Sequence, residues 1–219
     1  MKALALLFIC LISTHVLAQD PTRFAGEIEV ITNRDFERNN DQPLVFFTGS
    51  SSIRMWKNVE TTFPGYQVIN NGFGGSEFSD LIHYKQELIY AFEPDILFIY
   101  EGDNDVNSGK SKEEILKEAV SLLDDIKLKL PDTQVYMISP KPSISRWHLK
   151  DEYEQVNDAL NQLTQSDEYP NVSFIDVWSP MLDDNGSVKD DVFIEDDLHM
   201  NEKGYEIWAA VIGEYLPEQ

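Results

Sequence analysis

The chain has 219 residues, with 17 Lys and Arg against 39 Asp and Glu, a formal net charge of −22 and 42% hydrophobic residues. That length suffices for one domain with a full core, and an apolar fraction that includes 12 Phe and 9 Tyr excludes a disordered chain. The charge excludes nucleic acid and strongly anionic membrane surfaces as partners, since both need a basic face, and its plain role is to keep the chain in solution.

Residues 1–18 read as a secretory leader: Lys2 precedes an apolar run over 3–12, and Val16 and Ala18 supply the small residues before a cleavage point at Gln19. The run is too short to span a bilayer, so the expectation is an exported chain, periplasmic or secreted, with no stable membrane insertion after cleavage. Cleavage also removes Cys10, the sole cysteine, which leaves packing rather than disulfides to hold the mature domain. Residues 19–219 are then a single domain.

Taken in chain order, residues 24–38 form an amphipathic lead-in helix with Phe24, Ile28, Ile31 and Phe36 on its apolar face. Apolar runs over 44–48, 66–70, 95–100, 134–139 and 172–177 read as buried strands. Between and after them lie helices over 79–92, 112–130, 152–165 and 202–216. In the second of these, Ile115, Ala119, Leu122, Leu123, Ile126 and Leu130 recur at three- and four-residue spacing, behind a capping box of Ser111 and Glu114. Strands alternating with helices imply about five parallel strands joined by right-handed crossovers in a three-layer α/β/α sandwich. Such sheets bind ligands at the carboxyl ends of their strands, so polar residues just after each strand are the place to look for a site.

Four such clusters occur. After the first strand, Gly49-Ser50-Ser51-Ser52 places serines at the start of a short helix, where a hydroxyl is exposed and helix amides can face a developing anion, though a serine there can equally be only a helix cap. After the second, Gly72-Phe73-Gly74-Gly75 gives backbone amides an unobstructed approach to a ligand, or a tight turn and nothing more; the glycine spacing excludes a dinucleotide fingerprint. After the third, Gly102-Asp103-Asn104-Asp105 offers the Asn104 amide, or an Asx turn. Before the last helix, Asp196 lies three residues ahead of His199, close enough to orient its imidazole. His83 falls within a helix and reads as a surface or packing residue; His148, after the fourth strand, is a candidate to line the pocket. Serine, imidazole, carboxylate and anion-facing donors are the separate parts that acyl transfer needs, and all fall on one edge of the sheet.

These blocks, in this order, resemble those of the SGNH hydrolases, the GDSL-type esterases and lipases, across essentially the whole mature chain. The resemblance implies a flavodoxin-like sandwich and hydrolysis of carboxylic esters without a metal or cofactor. It casts Ser51 as nucleophile, His199 as base, Asp196 as its carboxylate partner, and Gly75 and Asn104 as oxyanion-hole donors. The nearest likeness is to the lysophospholipase-like and platelet-activating-factor acetylhydrolase-like branch, with lysophospholipid, short acyl and acetylated-sugar esters as the substrate range. The chain departs from the family's frequent Asp before the nucleophile, having Ser50 there.

Two other readings compete. A non-catalytic carbohydrate-binding protein on the same fold would use Trp56, Trp147 and Trp178 as stacking platforms. Calcium binding through Asp183-Asp184-Asn185-Gly186 and Asp190-Asp191 fails on the spacing a calcium loop requires, and a turn fits those residues better. The sequence does not fix an oligomeric state.

Overall fold

The apolar runs become one five-stranded sheet in the computed structural model, which describes residues 20–217, so the leader expected over 1–18 lies outside the described residues. The strands are β1 (Leu44–Gly49), β2 (Gln67–Gly72), β3 (Ile96–Tyr100), β4 (Gln134–Ile138) and β5 (Val172–Ile175), all parallel and ordered β2-β1-β3-β4-β5. This is the flavodoxin-like order, with the direction of winding reversing between β1 and β3.

Side-chain alternation along the strands separates two cores. Phe46, Leu97, Ile99, Val135 and Met137 point to one face, where they meet α1 (Ala25–Thr32), α4 (Phe78–Lys85), α6 (Lys112–Lys129) and α7 (Lys150–Thr164). Val45, Phe47, Phe98, Tyr136 and Ile138 point to the other, against α2 (Ser51–Arg54), α3 (Val59–Thr62) and α8 (Glu202–Gly213). On that second face Phe47, Phe98 and Tyr136 stack across three adjacent strands with ring centroids 4.5 and 4.9 Å apart. Burying each such ring stabilises the fold by about 2–3 kcal/mol.

Element boundaries depart from the pattern-based reading where side chains claim the backbone. The lead-in is a 3-10 turn (Pro21–Phe24) followed by α1, which stops at Thr32 rather than running to 38. Thr32 bonds back to the carbonyl of Ile28, and beyond it Arg34 donates to the Asn70 carbonyl and Arg38 to both oxygens of Asp95, which draws the segment out along the sheet. Phe36 still packs on the core, edge-on to Phe92 at 5.3 Å. β2 extends to Gly72 because Asn70 and Asn71 find partners in Ile53 O, Leu88 O and Arg34. β5 ends early because Asp176 Oδ1 accepts the amides of Trp178 and Ser179 and turns the chain away. α8 ends at Gly213, and the carbonyls of Tyr215 and Pro217 accept the hydroxyls of Tyr136 and Tyr66. The helix expected over 79–92 is α4 continued by a π turn over Gln86–Tyr90.

At the end of β1, Gly49 holds φ +119°, and a Cβ there would lie 2.0 Å from the Tyr100 carbonyl oxygen of β3. Gly49→Ala is expected to lower the unfolding free energy in urea by about 3 kcal/mol, through both dihedral strain and the backbone clash. A variant within about 0.5 kcal/mol of the parent would contradict this close approach.

Candidate active site

The carboxyl edge of the sheet gathers the residues singled out above. Ser51 is the first residue of α2, directly after the turn that Gly49 permits, and Tyr205 of α8 donates its hydroxyl to the Ser52 carbonyl, which ties the two helices together. His199 lies just ahead of α8, whose cap Asn201 accepts the Gly204 amide. The imidazole Nε2 is 2.9 Å from Ser51 Oγ, and its Nδ1 is 2.6 Å from Asp196 Oδ2.

Asp196 is held by more than the imidazole. Its Oδ1 accepts the backbone amides of Leu198 at 3.0 Å and His199 at 2.8 Å, a tight loop closed by Asp197 in the left-handed region at φ +56°. Burial alone would raise its pKa; the bonds from the His199 ring and from the two amides outweigh that and bring it down to about 2. The carboxylate is therefore ionised at every pH where the protein would work, and beside a neutral imidazole it favours the tautomer with the proton on Nδ1 and Nε2 open toward Ser51 Oγ.

On the other side of Ser51, Gly75 takes φ +75° with open space where a Cβ would be, and its amide has no hydrogen-bond partner among the described residues. The loop before it is braced by Glu27 of α1, whose carboxylate accepts the Gly74 amide at 3.1 Å and meets Arg54. Asn104, in the short helix α5 (Asp103–Asn107), donates Nδ2 to Ser50 Oγ at 2.7 Å and to the Ser76 carbonyl at 2.9 Å. Ser50, where the family often has Asp, thus contributes a buried neutral acceptor for Asn104. The structure brings Ser51, His199 and Asp196 into direct series, and Asn104 reaches Ser50, the residue next to Ser51 in the chain.

Several neighbours were not singled out in the sequence. Asp103 is buried and accepts from Tyr100 Oη at 2.7 Å, Tyr153 Oη at 2.5 Å and Arg146 Nη1 at 2.6 Å, with the Lys141 ammonium 3.8 Å away. Burial pushes its pKa up, but Lys141, Arg146 and the two phenols together hold it below the usual range. Lys141, fully buried, donates to the Leu198 carbonyl at 2.7 Å, inside the loop that carries His199. Both basic residues follow β4, so the rule that directed attention to strand ends also points to the run from Lys141 to Arg146.

The remaining candidates fall elsewhere. His83 is exposed on α4 and sits edge-on to Tyr84 at 4.6 Å, and His148 is exposed with no hydrogen bond to the triad. Trp56 and Trp178 are 1% and 7% exposed, so neither can serve as a stacking platform, which corrects the carbohydrate-binding reading. Trp147 stacks on Trp178 at 5.8 Å. Asp183 spends its carboxylate on the amides of Asn185 and Ser187, as a turn requires. Among the described residues no cluster of three His, Cys, Asp or Glu is placed to hold a metal ion, and no helix is long and apolar enough to cross a membrane.

Serine, imidazole and carboxylate in series, at the switch point of a flavodoxin-like sheet, form the arrangement of the Ser-His-Asp hydrolases. Residues 48–207 match the GDSL-like lipase/acylhydrolase family. The chain belongs to that family and is a carboxylic ester hydrolase of small-molecule esters. A search of curated proteins gives no match. Among solved structures it is similar to a protein provisionally named a platelet activating factor from Streptococcus pneumonia, at 18% identity over 90% of this chain and 92% of that one, with TM-score 0.77. It is also similar to a GDSL-like lipase from Bacteroides thetaiotaomicron, at 18% identity over 90% and 96%, TM-score 0.70. A catalytic mutant of an acetylxylan esterase from Geobacillus stearothermophilus gives 16% identity over 84% and 100%, TM-score 0.66. At these identities the likeness is one of fold.

Because the Asp196 carboxyl is depressed in the folded state, its contribution to stability is present above the ordinary Asp range and is lost as pH falls through about 2. Asp196→Asn is expected to melt below the parent at pH 7 and pH 5, with the gap closing toward pH 2. A gap that stays constant down to pH 2 would contradict the hydrogen bonding described for this carboxylate.

Proposed function

We propose that this chain is an exported serine esterase that works through an acyl-enzyme on Ser51. The observation that carries the reading is the 2.9 Å contact of His199 Nε2 with Ser51 Oγ, backed by the 2.6 Å contact of Nδ1 with Asp196. His199 takes the Ser51 proton as Oγ attacks the ester carbonyl, and Asp196 stabilises the imidazolium that forms. The carbonyl oxygen, now negative, accepts from the amides of Ser51 and Gly75 and from Asn104 Nδ2, which turns toward it the proton it gives Ser50 at rest. Each donor lowers the barrier by about 3 kcal/mol. As the tetrahedral intermediate collapses, His199 protonates the departing alcohol; water then enters, gives its proton to His199, and releases the acid with Ser51 restored.

Substrates within this reading are short acyl, lysophospholipid and acetylated-sugar esters. Between α2 and α8 lies an open groove of about 810 Å³, whose wall includes Met55 and Ile194 but also Lys57, Asn58, Glu202 and Glu206, and neither Ser51 nor His199, so the substrate range rests on the family resemblance rather than on this groove. The leader over residues 1–18 supports export to the periplasm or beyond.

Ser51→Ala is expected to reduce turnover of a chromogenic short-chain ester by about 10⁴-fold or more with an unchanged melting temperature. Activity within a few-fold of the parent would overturn the assignment.

A further inference from the structure

The two ends of an asparagine amide have nearly the same shape, and a half-turn of the side chain would exchange donor for acceptor. At Asn104 that exchange matters, since on the mechanism proposed above only the nitrogen can serve the oxyanion. Arg146 Nη2 donates to Asn104 Oδ1 at 3.1 Å, while Nδ2 donates to Ser50 Oγ and to the Ser76 carbonyl. Turning the amide over would set NH₂ against a guanidinium and oxygen against a carbonyl oxygen, so both ends resist the exchange.

Arg146 is itself fixed. Its Nη1 donates to Asp103 Oδ1 at 2.6 Å and to the Asp103 carbonyl at 3.2 Å, and its side chain is only 13% exposed. One planar guanidinium therefore grips two consecutive residues, Asp103 with one prong and Asn104 with the other. Asp103 is in turn anchored by Tyr100 and Tyr153. A cation on Oδ1 also polarises the amide and makes Nδ2–H a stronger donor when negative charge develops nearby.

We propose that Arg146 is a positioning residue that sets the orientation and donor strength of Asn104 for the oxyanion. This rests on the assignment of Asn104 to the oxyanion hole. Lysine cannot replace it, because an ammonium offers a point charge rather than a two-pronged fork.

The test is a double-mutant cycle on a chromogenic short-chain ester, measuring kcat and KM for the parent, Arg146→Lys, Asn104→Ala and the double variant. Arg146→Lys keeps a cation opposite Asp103, and its melting temperature is checked against the parent. Arg146→Ala, assayed with and without added guanidinium ion, repeats the test without relying on the lysine. The expected result for Arg146→Lys is a fall in kcat of about 10- to 100-fold with KM within about two-fold, and at least as large a fall for Asn104→Ala. The double variant should match Asn104→Ala within about two-fold, since Arg146 acts through Asn104. Guanidinium should restore part of the Arg146→Ala turnover and none of that lost in Asn104→Ala. Parental kcat in both Arg146 variants, or losses that multiply in the double variant, would overturn the positioning role alone. Parental kcat in Asn104→Ala would overturn the oxyanion assignment and the inference with it.

Discussion

At the carboxyl end of β1, the Gly49 carbonyl accepts the Phe73 amide at 2.8 Å and the Ser50 amide donates to the Tyr100 carbonyl at 3.0 Å. Those two bonds carry the sheet pairing one step beyond the strands, to β2 on one side and β3 on the other. They bring the loops bearing Gly75 and Asn104 to either side of Ser51, at the point where the order of the sheet reverses. The bond to β3 requires Gly49, whose missing side chain lets Tyr100 O approach. The position of Ser51 is thus fixed by backbone hydrogen bonds of the buried sheet rather than by a mobile loop, which is how a site keeps its geometry within the tolerance that acyl transfer demands.

His199 has no such attachment to a strand and is held by other means. Its loop is fastened by Asp196, by the bond from the Ile194 amide to the His199 carbonyl at 2.8 Å, and by Lys141 on the Leu198 carbonyl. Lys141 belongs to the buried group around Asp103 that also reaches Asn104, so His199 and Asn104 share one anchor. Taking such charges out of water is costly, and their mutual attraction roughly offsets that cost rather than adding much stability. What the cluster contributes is a single arrangement: removing one member strands the others, at about 3–5 kcal/mol. A second buried acidic group lies nearby, where burial raises Asp105 to about 6 despite Lys110 and moves Glu101 well above the usual range. Folding therefore favours the neutral form of Asp105, a contribution full below the ordinary Asp range and lost as pH rises through about 6.

The parallel sheet was legible because buried strands and amphipathic helices have distinct periods, and because their alternation leaves little choice of topology. The candidate positions stood out where polar residues follow a wholly buried strand, as Ser51 does after β1 and Asn104 after β3; the Gly75 loop follows the half-buried β2 and was marked by its glycines instead. The resemblance to a known family then supplied the roles. Less visible were the ends of elements, where Arg34 and Arg38 bond to groups far away in sequence, and Asp176 to the amides just after it, and so override local propensity. Lys141 and Arg146, and their burial against Asp103, went unnoticed because their partners too lie far away in sequence. The buried ion cluster is assembled from two segments, one after β3 and one after β4, and nothing in the local pattern around a lysine or arginine marks it as one that will lose its water. Trp56 and Trp178 erred in the opposite direction, since an aromatic residue near a strand end can face either solvent or core, and burial decides which.

Labelling with a fluorophosphonate, followed by mass spectrometry of the peptides, tests the central assignment most directly, because only a serine with an adjacent base and a formed oxyanion hole reacts at an appreciable rate. The expected result is a single adduct on Ser51 that heat denaturation of the protein abolishes. An adduct on Ser50 or Ser52, or a folded protein that takes up no label, would contradict it.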